Sequence, residues 1–173
     1  MCMIALFTAL IAISAQLSIP MPFGVPMTMQ TLAVSLAGMI LGAKRGFFAA
    51  LAYLLLGAVG APVFSNFSGG IYMIFGRTGG FILSFPVMTL IIGICADSGE
   101  KWLVPIGLIA GAAVNFAAGA LMFMLIAEVN FTAAFTACVL PFIPTAFIKA
   151  ALAWIIGVQV RKRVKLTGAK RKS

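Results

Sequence analysis

One lysine stands where a lysine is costly. Lys149 lies in the apolar run from Val139 to Val160, twelve residues before Arg161, or roughly 18 Å along a helix. Its side chain cannot snorkel that far. The ammonium must face the interior of a helical bundle and find a partner there: a polar guest, or main-chain carbonyls and water. Arg77, between Gly76 and Thr78, can grip a carboxylate through two parallel N–H donors or meet a lipid phosphate. Asn66, after Ser65, offers an amide that suits a neutral polar ring such as a urea, or a loop cap. Asn115 sits midway along another apolar run, as interhelical glue or as a ligand contact. Thr28 and Gln30 open a further run, where they cap a helix or face a cavity. Tyr72 shares a Gly-rich segment with Arg77 and is a candidate cavity wall.

The chemistry open to this set is recognition rather than turnover. The carboxylates are Asp97, Glu100 and Glu128, all in or near turns, and there is no His. Nothing pairs for acid–base or nucleophilic catalysis, and no phosphate-binding loop equips the chain to hydrolyse ATP. Cys2, Cys95 and Cys138 lack metal or redox spacing and read as small buried apolar side chains. No metal and no cofactor are expected.

These residues need elements to position them. Over 173 residues, 63% are apolar and only 9% charged, against about 25% charged in a soluble domain, so a membrane is the solvent. At about 20 residues per span the length allows about six. Long apolar runs without polar alternation select helices over a barrel. The predicted spans are 3–17, 28–41, 47–59, 81–96, 102–127 and 139–160. They make one all-α integral membrane domain over residues 1–160, followed by a basic tail over 161–173. Ile4–Ile13 reads as part of a retained span rather than a signal peptide, with the completeness of the first turn left open. Pro20, Pro22 and Pro26 break the chain after the first span. The irregular, Gly-rich segment Gly60–Gly80 must be buried in protein or line a cavity. DSGEK and EVNFT read as turns, and Pro141 and Pro144 lead into the last span.

Seven of the twelve basic residues lie between Arg161 and Lys172. Clustered after an apolar helix, they read as a cytoplasmic topology anchor touching anionic lipid, not as a nucleic-acid surface. Lys44-Arg45 belongs on the same side. Both termini and DSGEK are then expected inside, with 19–27 and 60–80 outside. Ala5 and Ala9 form AxxxA, extended by Ala12. Such a face lets another helix approach closely, in a partner or within this chain. The residues alone leave three classes open: a solute-capturing subunit, a self-contained channel or exporter, and an intramembrane enzyme.

Four stretches then fall together. IPMPFGVPMTMQT, GMILGAKRGFFAALAYLLLGAVGAPVF, SGGIYMIFGRTGGF and PFIPTAFIKAALA together resemble the BioY family over nearly the whole chain. The resemblance implies a six-helix S component of an energy-coupling-factor importer in a prokaryotic cell membrane. Biotin would bind near the outer face, with another small carboxylated vitamin or precursor as the alternative. A transmembrane coupling subunit would dock on Ala5, Ala9 and Ala12. Two cytoplasmic ATPases would supply energy, although some members are proposed to work without them. Lys149 matches the lysine of the family's DxxK. Asn66, Gly69 and Gly70 fall in its binding loop, and Thr78, Gly79 and Gly80 match its TGG. The chain departs from the family at Ala146, which replaces the aspartate, and at Phe116 and Met122, where tyrosine and tryptophan are frequent. All three departures are expected on the pocket. Lys149 thereby lacks a carboxylate on its own helix face, which leaves Glu128, the ligand carboxylate or loss of its proton.

Overall fold

A computed structural model describes residues 1–21 and 24–170, with 164–170 as backbone only. Pro22 and the end of the basic tail, 171–173, lie outside the described residues. The expected spans appear as α1 (Cys2–Gln16), α2 (Gln30–Leu41), α3 (Ala43–Ala58), α5 (Gly79–Asp97), α6 (Leu103–Ala127) and α8 (Ile143–Lys170). Two further helices, α4 (Ile71–Ile74) and α7 (Phe131–Cys138), complete the α-helices among the described residues.

Three stretches, Gly79–Asp97, Leu103–Ala127 and Phe131–Arg163, are long and apolar enough to cross a membrane unaided. The 15 residues of α1 and the 12 of α2 reach about 22 and 18 Å, short of a hydrocarbon core of about 30 Å. The chain between them continues as a two-stranded antiparallel ribbon, β1 (Ser18–Ile19) with β2 (Met27–Thr28), which pairs Ser18 with Thr28. This ribbon lies inside what the sequence presents as a plain loop. The helix α7 is also unexpected. Asn130, in the segment expected to be a turn, is its N-cap, and its Oδ1 accepts the Ala133 N–H at 3.1 Å, as an asparagine cap should. A short 3₁₀ turn at Leu140–Phe142 then bends the chain where Pro141 removes a donor.

The helix α5 is central, packing against α6, α3 and α2, while α8 lies along α2. Missing side chains allow this approach. A Cβ at Gly80 would collide with the Ala118 carbonyl of α6, and one at Gly93 with the backbone of Ala43. Small residues serve this purpose where lipid offers no hydrophobic drive between helices. The core includes Ile11, Val34, Tyr53, Phe64 and Ile92. Of the cysteines, Cys138 is buried, Cys95 half-buried and Cys2 exposed, so Cys2 corrects the expectation of burial.

The two ends of the bundle differ. At one, Asp97 accepts from Arg161 Nη2 at 2.6 Å and from the Ala43 main-chain N–H at 2.9 Å, while Arg161 also donates to the Met39 carbonyl. Gly42 has φ +81, and a Cβ there would lie 2.6 Å from Asp97 Oδ1. Only a glycine admits the carboxylate. At the other end Gln16 clamps the irregular segment. Its Nε2 donates to the Phe64 carbonyl at 3.1 Å and its Oε1 accepts the Phe67 N–H at 2.9 Å. Phe64 packs edge-on to Tyr53 with ring centroids 5.5 Å apart, in the space left by Gly57. Thr8 bonds the Ala49 carbonyl at 3.0 Å, midway along both helices, and Gln16 at the end of α1 bonds Phe64 just past the end of α3, so α1 and α3 run parallel. The start of α1 and the end of α8 therefore lie at the Asp97 end.

Candidate solute-binding cavity

The break after β2 and the inward face of α8 create the site. Lys149 is 9% exposed, and its Nζ donates to the Thr28 carbonyl at 2.6 Å. The ammonium has therefore turned to the bundle interior, and a strand-end carbonyl supplies the partner that a buried cation requires. Glu128 is exposed at the end of α6, and Lys149 Nζ bonds the Thr28 carbonyl. The possible Lys149–Glu128 pair is thus replaced by a main-chain contact.

Lys149 opens on a cavity of about 820 Å³, mouth included, walled by α2, α5, α6 and α8. Its lining of aromatic rings with a few polar groups is that of a small-molecule site. The cavity brings together Gln30, Thr78, Asn115 and Lys149 with the rings of Phe81, Phe85, Phe116 and Phe142. Gln30 is fixed on both sides: its Oε1 accepts from Thr28 Oγ1 at 2.9 Å and its Nε2 donates to Tyr53 Oη at 2.5 Å. A second, outer cleft holds Asn66 and Arg77 and shares Pro26, Ser65 and Thr78 with the cavity. The two therefore adjoin. Asn66 Oδ1 accepts from Ser18 Oγ at 2.9 Å, which ties the irregular segment to β1.

Gly69, Gly70 and Tyr72 line neither space. A Cβ on Gly69 would overlap the Ala61 carbonyl, and Gly70 has φ +104, so both shape the backbone of the loop. Tyr72 is 66% exposed because the single turn of α4 points it outward. Of the three family departures, Ala146 and Phe116 line the cavity. Met122 instead lies over the backbone of Gly79 and Gly80, which corrects its expected place. Thr31, Ser35 and Thr145 also line the wall and were not singled out from sequence. Their signal was spacing, since Thr31–Ser35 and Thr145–Lys149 are i, i+4 pairs on one helix face. On α1, Ala5 and Ala9 are exposed, whereas Ala12 is half-buried against the core.

An apolar helical bundle that keeps a polar-walled hollow at one end, with a cation turned into it, is a membrane protein built to hold a small solute. The chain belongs to the BioY family, which matches residues 1–166. It is 42% identical to the probable biotin transporter BioY of Pyrococcus horikoshii, over 92% of this chain and 94% of that one. With biotin transporter BioY2 of Lactococcus lactis the identity is 37%, over 95% and 91%. The fold superposes on the crystal structure of the S-component for biotin from an ECF-type ABC transporter. The TM-score is 0.84 at 28% identity, covering 92% of this chain and 88% of that chain.

Proposed function

We propose that this chain captures biotin as the S component of an energy-coupling-factor importer. The observation that carries the reading is the inward Lys149 on a cavity of mixed lining, in a BioY-family chain. The bicyclic ring of biotin sits in the deep cavity beside Lys149 and Asn115. Its carboxylate reaches toward the outer cleft, where Arg77 supplies a planar pair of donors. The β1–β2 ribbon strands and the Gly60–Gly80 segment form the outer mouth. The Asp97 end, with Lys44, Arg45 and the start of the basic tail, faces the cytoplasm in keeping with the positive-inside rule, which places both termini inside. A transmembrane coupling subunit docks on the exposed Ala5–Ala9 face, and two ATPase subunits supply the energy for inward release.

A second reading has its own observation. Ala146, in place of the family aspartate, lies on the cavity wall beside Lys149, so the wall offers fewer polar contacts there than a urea ring needs, which suits a different small carboxylated vitamin. A binding screen of the purified chain against biotin and related vitamins separates the two. Saturable binding of biotin above all others supports the first reading. Preference for another vitamin supports the second, and no binding of any would remove both.

A further inference from the structure

Asn115 is 2% exposed and lines the deep cavity. Its amide is held from one side only. Nδ2 donates to the Phe81 carbonyl at 3.0 Å and to Ser84 Oγ at 2.7 Å. Ser84 has a single hydroxyl proton and gives it to the same Phe81 carbonyl at 2.9 Å. Both groups facing the amide are therefore acceptors. A flipped amide would set its oxygen 3.0 Å from the Phe81 carbonyl oxygen, so Nδ2 must face α5. Oδ1 then has no protein donor, yet no buried side-chain polar atom among the described residues is left unpartnered. It follows that Oδ1 is open to the cavity.

Neighbouring hydroxyls behave in the same way. Thr145 Oγ1 donates to the Phe142 carbonyl at 2.9 Å and Ser35 Oγ to the Thr31 carbonyl at 2.7 Å, which leaves their lone pairs for a guest. Lys149 is the opposite case, with three N–H donors and one of them given to Thr28. The cavity thus has two signs, donating at Lys149 and accepting at Asn115.

We infer that Asn115 is a specificity-determining acceptor that reads an N–H of the ligand, with Ser84 as the residue that positions it. This rests on the biotin reading, because the cyclic urea of biotin carries N–H donors beside a carbonyl acceptor. A site built to bond a donor rejects the analogue lacking it, since the analogue leaves a buried acceptor unpaired.

The test compares biotin with its two cyclic carbamate analogues, in which one or the other ureido N–H is replaced by oxygen. Calorimetry is run on the wild type, Asn115→Ala and Ser84→Ala. The wild type is expected to bind one carbamate at least about tenfold more weakly than biotin, with the other isomer closer to biotin. Asn115→Ala should reduce that preference to about twofold or less, and Ser84→Ala should reduce it partway by freeing the amide to rotate. The wild-type ratio needs no variant and is decisive if either one fails to fold. Equal binding of biotin and both carbamates would overturn the assignment while leaving the biotin reading intact. An unchanged preference in Asn115→Ala would do the same. Wild type that binds no biotin would overturn the biotin reading and this assignment with it.

Discussion

The ammonium of Lys149 lies 2.6 Å from the main-chain oxygen of Thr28, which joins the inward cation of α8 to the strand that leads into α2. That contact holds one N–H and leaves two for a guest. It also sets the charge in the wall between the cavity and the ribbon.

Ala146 and Lys149 share a helix face and both line the cavity. Ala146→Asp would place a carboxylate acceptor beside the ammonium and offer the urea N–H groups a charged partner. Biotin binding is expected to strengthen several-fold by calorimetry. No gain would mean that a carboxylate at this position does not reach the ligand.

Arg77 stands in the outer cleft, apart from the deep cavity. Arg77→Gln should weaken biotin by about tenfold, a loss of roughly 1.4 kcal/mol, and leave biotin amide nearly unaffected. Equal losses for acid and amide would move the carboxylate contact elsewhere in the site.

Gly80 lies on the Ala118 carbonyl, within the close packing of α5 on α6. Gly80→Ala must push the helices apart, an overpacking cost of about 1–3 kcal/mol. A lower unfolding temperature in detergent is the expected result. An unchanged one would mean that the two helices separate freely at this crossing.

Asp97 links α2, α3, α5 and α8 at the end away from the cavity. Asp97→Asn removes the ion pair with Arg161, worth about 0.2–1 kcal/mol for a pair near the surface. Stability should fall by that order with biotin affinity unchanged. Altered affinity would reveal coupling between the two ends.

Much of this was legible in the sequence because lipid imposes simple rules. Apolar runs gave six spans, and polar residues inside those runs, Gln30, Asn115 and Lys149, all came to the cavity wall. The rest depended on local geometry that carries little sequence signal. The two-residue strands of the ribbon are too short to show alternation. The helix α7 merges with the apolar run after it, and only the cap at Asn130 marks its start. Tyr72 and Arg77 are close in sequence, yet one turn of α4 exposes the first and leaves the second in the outer cleft. Phe64, buried against Tyr53, anchors the loop through a contact that no spacing announces. Lys149 called for a buried partner, a polar guest or main-chain carbonyls, and the carbonyl of Thr28 at a strand end is the one it meets, which no spacing in the sequence singles out.

The most direct test of the account is calorimetric titration of biotin into wild type and Lys149→Met, which keeps most of the side chain's length and removes the charge. The account predicts saturable binding to the wild type and at least a tenfold loss in the variant, about 1.4 kcal/mol. Equal affinity in the two proteins would contradict it, because the inward cation would then have no part in holding the solute.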